Sequence, residues 1–143
     1  MESMIGRGRD AISMIVDPVS FAENRVGCAQ VPEGYGPGAV VGTASLNGRP
    51  VTILANDAQA VNPRFPVVYF GVIGMEEAYK MASAVYESIL ADRDKPVGEK
   101  RPLLLIVDTP GNGPGKVEEI FGMNKATGAY QLALAEARKA GHA

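Results

Sequence analysis

The apolar positions along this chain follow a helical spacing in two stretches. Between Asp10 and Val16 the apolar residues fall on one side of a short helix, which ends before Pro18 because the residue preceding a proline avoids helical geometry. A longer stretch, from Met75 to Asp92, repeats the spacing over several turns and predicts an amphipathic helix packed on a sheet. The apolar stripe of this second helix comprises Ala78, Met81, Ala82, Val85 and Ile89.

Two runs of strand-forming residues lie between these helices. The runs "AVVGTASL" and "RPVTILAN" are separated only by Asn47 and Gly48. A two-residue hairpin turn needs positive φ at both central positions, and Asn-Gly is a pair that adopts it readily. The pattern predicts a tight antiparallel hairpin, and Asn56 and Asp57 at its far end are expected to be turn residues.

The second half of the chain predicts one more strand and one more helix. The run "LLLIV", Leu103 to Val107, is continuously apolar, which is typical of a strand covered on both faces. A helix is predicted from Val117 to about Ala140, with Gly141 just beyond its end. Sheet, helix, buried strand and helix together predict an α/β layered domain with a right-handed crossover.

The predicted sheet lacks a strand where one is expected. A helix that follows a buried strand normally returns to the sheet, but only His142 and Ala143 remain after this helix. Either the chain is a fragment or a partner supplies the missing neighbour of the strand Leu103 to Val107. Because an exposed edge strand is a liability in an isolated monomer, we expect the chain to associate.

Composition excludes several classes of protein. The length suits a single domain, residues 1–143, and 46% hydrophobic with 21% charged residues is typical of a globular chain. A formal net charge of -2 gives no footprint for nucleic acid. The lone Cys28 excludes an internal disulfide and a four-cysteine zinc site, and we expect this chain to bind neither a metal nor a cofactor. Without an export region or a long apolar stretch, the sequence predicts a cytoplasmic protein.

Glycine and proline are densest in "VDTPGNGPGKVEEIFG", Val107 to Gly122. A phosphate-binding loop would need a glycine where Pro110 stands and a hydroxyl residue in place of Val117. A dinucleotide-binding loop would need a third glycine in place of Lys116. A plain turn before a helix is one alternative. The other is a loop whose outward amide groups stabilise negative charge that develops on an oxygen.

The same segment resembles the Val-Asp-x-Pro-Gly…Pro-Gly…Glu…Gly segment of the carboxyltransferase branch of the crotonase superfamily. That branch includes the biotin-dependent acyl-CoA carboxylases and the biotin-independent malonate decarboxylases. "DPVSF", "AVVGTASLNGRPVTILAND" and the helix after Gly74 follow the order of that family, so the resemblance covers nearly the whole chain. The pattern is similar to the gamma subunit of malonate decarboxylase or the alpha-type (C-terminal) carboxyltransferase half, because the Ser-Gly-Gly-Ala-Arg-x-x-Glu loop of the beta-type half is absent.

The resemblance implies a crotonase-like α/β fold and a catalytic core shared with a beta-type partner. There a malonyl thioester on an acyl carrier protein or on CoA would lose its carboxylate, or a carboxyl group would pass to or from biotin. Either reaction leaves an enolate whose oxygen needs hydrogen-bond donors. The alternatives are a carboxyltransferase subunit of a biotin-dependent acyl-CoA carboxylase and a non-catalytic assembly subunit. The expected catalytic residues are Gly111, Gly113 and Gly115, and the expected substrate-binding residues are Pro110, Asn112, Pro114 and Lys116.

One departure from the family limits what this chain can do alone. Family members continue after the last helix into another strand and a second glycine-rich loop, Gly-x-x-x-Ser-Gly-Gly-Ala, which this sequence does not contain. The chain is therefore expected to be the N-terminal part of the fold, to carry one wall of a site, and to be inactive without its partner.

Charged residues beside the glycine-rich segment each have two interpretations. Glu118 and Glu119 could orient the substrate, but acids in the first turn of a helix are also favoured by its dipole. Lys116 could attract a carboxylate or a carrier phosphate, or it could simply be solvated. Asp108 is expected to hold the loop in place through its carboxylate.

Overall fold

A computed structural model describes residues 7–26, 29–69 and 71–143. The helices are α1 (Gly8–Ile15), α2 (Met75–Ala91), α3 (Lys116–Phe121) and α4 (Met123–Lys139). The strands are β1 (Ala22–Glu23), β2 (Arg25–Val26), β3 (Ala29–Gln30), β4 (Ala39–Leu46), β5 (Arg49–Asn56) and β6 (Leu103–Ile106). A four-stranded sheet has the order β1-β4-β5-β6, and β2 pairs with β3 in a separate ribbon.

The predicted hairpin forms the centre of the sheet. Strands β4 and β5 are antiparallel, and Leu46 pairs with Arg49 across the turn. Asn47 and Gly48 have φ values of 51° and 74°, as the turn requires. The sequence prediction is confirmed here because the turn geometry depends on these two residues alone.

Helices cover the two faces of this hairpin. Alternate residues of β4 and β5 point to opposite faces, so Val41 and Leu54 pack under α2 and α4, whereas Val40 and Ile53 pack under α1. In α2 the predicted stripe is confirmed: Ala78, Met81, Ala82 and Val85 are buried, and Ile89 is half-buried.

Strand β6 lies at the edge of the sheet. It pairs in parallel with β5, and the described residues supply no strand on its other side. The expectation of a missing neighbour is confirmed. The expectation of a strand covered on both faces is wrong for this chain, because Leu105 is 39% and Val107 67% exposed. Both observations have one cause, which is that the sheet stops at β6.

The long helix predicted from Val117 to Ala140 is instead two helices. Gly122 has a φ of 89°, in the left-handed region, and this residue ends α3 and precedes α4. A glycine adopts that conformation without steric cost, whereas any other residue would resist it. The change of direction buries Met123, which is 2% exposed. The end of α4 is as predicted, with Gly141 at a φ of 91°.

Some sequence-based expectations concern residues that the structure does not describe. Cys28 and the N-terminal residues 1–6 belong to this group. No helix in the described ranges is long and apolar enough to cross a membrane. Those ranges also contain no group of three or more histidine, cysteine, aspartate or glutamate residues placed to hold a metal ion.

Candidate functional site

The glycine-rich loop lies at the edge of the sheet where parallel strands end. Strands β5 and β6 run in the same direction, so the segments that follow Asn56 and Ile106 leave the sheet at one edge. Ligands of open α/β sheets bind outside the carboxyl ends of parallel strands. The topology therefore places the predicted loop where a ligand site is expected.

Asn56 holds the beginning of this loop. Its side-chain oxygen accepts a hydrogen bond from the Asp108 main-chain N–H at 2.5 Å, and its amide nitrogen donates to the Asp108 carbonyl. The same nitrogen donates to the carbonyl of Gly71 at 3.4 Å. Asn56 is 3% exposed, so it is a buried clamp rather than a turn residue. Asp108 holds the loop through its main chain, and its exposed position contradicts the expected role for its carboxylate.

The middle of the loop is hydrogen-bonded to Ile73, which lies two residues before α2. The Gly113 N–H donates to the carbonyl of Ile73 at 2.8 Å, and the Ile73 N–H donates to the carbonyl of Gly111 at 3.0 Å. The Gly111 N–H donates to the hydroxyl of Thr109 at 3.0 Å. Both glycine amides therefore have acceptors within the chain. The expectation that all three glycines present free amides is wrong for Gly111 and Gly113 in this conformation.

Two other amides of the loop have no such acceptor. Asn112 and Ile73 form a parallel β-bridge. The two hydrogen bonds of this bridge involve Gly111 and Gly113, the neighbours of Asn112, so the N–H of Asn112 itself points away from Ile73. Neither this N–H nor that of Gly115 has a hydrogen-bond acceptor among the described residues. Both residues are exposed. Asn112 and Gly115 thus offer exposed main-chain donors on this loop.

The three glycines are required for different reasons. A Cβ on Gly113 would lie 2.9 Å from Val67 Cγ1, so this glycine is needed for packing. Gly111 and Gly115 have φ values of 140° and 141°, which other residues rarely adopt, and a Cβ at either position would meet nothing within 4 Å. Of these three glycines, Gly115 combines an open approach with a free amide.

The remaining predicted substrate-binding residues lie on the surface. Pro110, Pro114 and Lys116 are exposed. Exposure leaves these residues accessible to a substrate, and their contact with one stays a prediction. Lys116 begins α3 and makes no ion pair with any described residue.

Glu118 and Glu119, which the sequence treats alike, differ in their surroundings. Glu119 is exposed, whereas Glu118 is 1% exposed and neither of its carboxylate oxygens has a hydrogen-bond partner among the described residues. Burial raises the pKa of Glu118, and the nearby charges of Glu77 and Glu76 raise it further. The helix-dipole interpretation suits Glu119 and does not explain a buried acid.

Two acids that the sequence analysis did not single out are buried at the start of α2. Glu77 accepts hydrogen bonds from the Gly38 N–H and from Asn62, each at 3.2 Å. Glu76 pairs with Arg64 at 2.7 Å, and this hydrogen bond lowers the pKa of Glu76 to about 2. Helical spacing places these acids on α2, but it carries no information about the loops that they contact.

One cavity borders the glycine-rich loop, and a larger one lies elsewhere in the described structure. One has a volume of about 400 Å³ and lies between the glycine-rich loop and α4; the residues that line it include Asn112, Pro114, Glu119, Asn124, Thr127 and Gly128. The other has a volume of about 860 Å³ and is lined by groups of both charges, including Arg9, Glu23, Asp57 and Lys80. In the larger cavity the charges are already engaged: Arg9 pairs with Glu23 and Asp57, and the buried Lys80 ammonium donates to two carbonyls.

Comparison with known proteins identifies related sequences and folds. Residues 7–139 match the family model described as "Carboxyl transferase domain". The protein named Malonyl-S-ACP:biotin-protein carboxyltransferase MADD, from Malonomonas rubra, is 67% identical over 143 residues, which cover 99% of this chain and 49% of that protein. This chain therefore spans about half the length of that relative.

Solved structures give the same result for the fold. A Pseudomonas malonate decarboxylase hetero-tetramer in complex with malonate matches with a TM-score of 0.75 and 34% identity, over 96% of this chain and 48% of that one. A transcarboxylase 12S structure with methylmalonyl-coenzyme A and methylmalonic acid bound matches with a TM-score of 0.68 and 29% identity, over 92% of this chain and 21% of that one. The predicted crotonase-like α/β fold is confirmed.

Proposed function

The chain belongs to the carboxyl transferase domain family, and from this premise we propose that it is part of a gamma-type subunit that transfers the carboxyl group of a malonyl thioester to biotin. The sequence alone favoured direct decarboxylation. The name of the Malonomonas rubra relative supports carboxyl transfer between an acyl carrier protein and a biotin protein instead. In this proposal both carriers are substrates, and neither is a cofactor resident in this chain.

The reaction divides into the breaking and the making of one bond to the carboxyl carbon. The bond between C2 of the malonyl group and its carboxylate carbon breaks, and its electron pair moves into the thioester as an enolate. The released carbon dioxide forms a bond to a ureido nitrogen of biotin. The proton lost by that nitrogen is taken by C2, which yields an acetyl thioester and carboxybiotin with no other reactant.

Fixed hydrogen-bond donors would lower the barrier to this reaction. Negative charge develops on the oxygen of the thioester enolate and of the deprotonated ureido group, and rigid main-chain donors stabilise it without reorganising. The observation that carries the proposal is that Asn112 and Gly115 present unpaired amides on a loop fixed by Asn56 and Ile73. Removing one such donor typically costs about 3 kcal/mol of barrier.

A beta-type partner and a further strand would complete the site. No described strand pairs with the outer side of β6, where the Leu103 N–H donates to the carbonyl of Ala143 and the exposed Leu105 and Val107 extend an apolar surface. We propose that residues 1–143 form the N-terminal part of a longer carboxyltransferase domain whose next strand pairs with β6. The similar Pseudomonas malonate decarboxylase is a hetero-tetramer, which supports a partner subunit. A cytoplasmic location stays a prediction.

A CoA thioester is the alternative acyl substrate. The similar transcarboxylase structure contains bound methylmalonyl-coenzyme A. That match favours a carboxyltransferase acting on CoA thioesters as the second candidate function. The chemistry at the glycine-rich loop would be the same, and only the carrier of the acyl group would differ.

Reconstitution tests the proposal. The full-length subunit is combined with its beta-type partner, biotin and a malonyl thioester of either acyl carrier protein or CoA. Formation of carboxybiotin together with the acetyl thioester is the expected result. Release of carbon dioxide that is equal with and without biotin would indicate direct decarboxylation and would overturn the transfer proposal. The preferred carrier distinguishes the two candidate functions.

A further inference from the structure

The groove between the glycine-rich loop and α4 has a chemical character that differs from the rest of the site. It has a volume of about 400 Å³, and the charged group in its lining is the single carboxylate of Glu119. Its other polar lining groups are the neutral side chains of Asn112, Asn124, Thr127 and Gln131. A groove without a cation does not suit a phosphate, whereas amide and hydroxyl groups suit a neutral ligand that both donates and accepts hydrogen bonds.

One side of the groove is a face of α4, whose residues come together there because of the helical period. Asn124, Gly128 and Gln131 lie at intervals of four and three residues in α4, and such residues are neighbours on one helix face. The opposite side is the loop itself, where Asn112 and Pro114 are exposed. The groove therefore runs directly beside the main-chain donor at Asn112.

Gly128 leaves room in the groove that nothing in the described chain fills. It lies inside a 17-residue helix, where glycine is a poor helix former, and a Cβ there would meet no atom within 4 Å. Packing within this chain therefore does not require glycine at position 128. An exposed helix position with open space would otherwise favour alanine or leucine, so the absence of a side chain indicates that the space is used.

Thr127 provides a second, independent observation. Its hydroxyl oxygen is buried and has no hydrogen-bond partner among the described residues. A buried polar group without a partner is unfavourable, and Thr127 is one of the residues that line the groove. A ligand with a hydrogen-bonding group at that point would remove the deficit.

We propose that the groove between the glycine-rich loop and α4 binds a neutral amide or ureido group of a substrate carrier, with Thr127 as a hydrogen-bond partner and Gly128 as the opening. The inference rests on the proposed carboxyl transfer. Two parts of the substrates carry this chemistry: the pantetheine arm of the malonyl thioester has two amides, and biotin has a ureido ring. Kinetic and binding measurements with each ligand distinguish the two sources.

The test compares Gly128→Leu with Ala135→Leu in the full-length subunit assembled with its partner. Both substitutions add leucine to an exposed position of α4, but Ala135 does not line the groove. We expect Gly128→Leu to raise the KM for either malonyl-pantetheine or free biotin by about tenfold or more, the size of effect that misplaced methylene groups have in a pocket. The Ala135→Leu enzyme should retain both KM values. A rise for malonyl-pantetheine identifies the arm, and a rise for biotin identifies the ureido ring.

A binding measurement separates failure of this inference from failure of the proposed reaction. Saturation-transfer NMR with pantetheine and with biotin needs no turnover and uses the assembled complex. We expect the signal of one ligand to persist in Ala135→Leu and to weaken in Gly128→Leu and Thr127→Val. Thr127→Ser keeps the hydroxyl group and should retain the signal. Equal signals in all variants would overturn the groove assignment even if carboxyl transfer occurs. Retained selective binding without any transfer would refute the proposed reaction and leave the groove as a ligand site.

Discussion

The main-chain N–H of Gly113 donates to the carbonyl oxygen of Ile73, 2.8 Å away, and this bond fixes the middle of the glycine-rich loop against the segment that leads into α2. Gly113 is therefore a structural residue of the loop. The proposed stabilisation of negative charge therefore rests on Asn112 and Gly115, whose main-chain N–H groups have no hydrogen-bond acceptor among the described residues.

Gly113→Ala should destabilise the protein. The added Cβ would lie 2.9 Å from Val67 Cγ1 and 3.4 Å from Val72 Cγ1, so the loop would have to shift at this buried residue. We expect a loss of about 1–3 kcal/mol in the free energy of unfolding, measured by urea denaturation. Gly98→Ala is the matched control, because a Cβ on Gly98 meets nothing within 4 Å. Equal stability of the two variants would contradict the proposed packing.

Asn56→Asp should loosen the start of the loop. The carboxylate would lose the two hydrogen bonds donated to Asp108 and Gly71 and would bring an oxygen toward their carbonyls. The expected cost is about 1–3 kcal/mol in thermal or urea unfolding, the range for unpaired buried polar groups. Asn124→Asp makes the same chemical change at an exposed position and should cost much less. A similar loss in both variants would argue against the clamp.

Glu118→Gln should stabilise the protein at neutral pH. Burial raises the pKa of Glu118, so the folded state favours the neutral acid. The stability associated with that neutral form is complete below the unfolded pKa and is lost as the pH rises through the folded pKa. Glutamine stays neutral throughout, and the difference in melting temperature between variant and parent should therefore grow from pH 4 to pH 8.

The exposed neighbour provides the control for this titration. Glu119→Gln removes the same charge from a solvated position and should give a difference in melting temperature that hardly changes with pH. The gain for Glu118→Gln at neutral pH should be on the order of 1 kcal/mol, since it removes a buried negative charge. A stability difference for Glu118→Gln that shrinks as the pH rises would have the wrong sign for a raised pKa.

Leu105→Lys should reduce association of the 143-residue chain. Light scattering of the unaltered chain should give a mass above 15.0 kDa, because no described strand covers the outer edge of β6 and apolar residues are exposed there. A lysine on this edge should shift the mass toward that of one chain. Met14→Lys, at a position that is 86% exposed on α1, should not. A monomeric unaltered chain would refute the expectation.

The sequence predicted those features that depend on local chemistry or on periodicity. The Asn47-Gly48 turn is local, and the stripe of α2 repeats over several turns, so both could be identified. The break at Gly122 could not, because a glycine inside a helical pattern is as compatible with a weak helix as with a left-handed turn. In the structure Gly122 has a φ of 89°, and the next residue, Met123, is buried.

Contacts between distant parts of the chain escaped the sequence analysis. Glycine spacing indicated a loop with outward amides, but which amides are free depends on the pairing with Ile73, which lies far from the loop in sequence. The clamp by Asn56 joins residues that are 52 positions apart. The burial of Glu118 and the exposure of Glu119 likewise depend on how α3 packs, which no local pattern specifies.

Replacing the Gly115 amide by an ester tests most directly whether its N–H stabilises an anionic oxygen, on which the proposed chemistry depends. An amide-to-ester substitution at Gly115 removes the N–H without adding a side chain, and the same change at the exposed Gly34 serves as the control. In the full-length subunit assembled with its partner, we expect kcat for carboxyl transfer to fall about 10²–10³-fold at Gly115 and to stay nearly unchanged at Gly34. An unchanged kcat for the Gly115 ester would contradict the proposed role of this amide.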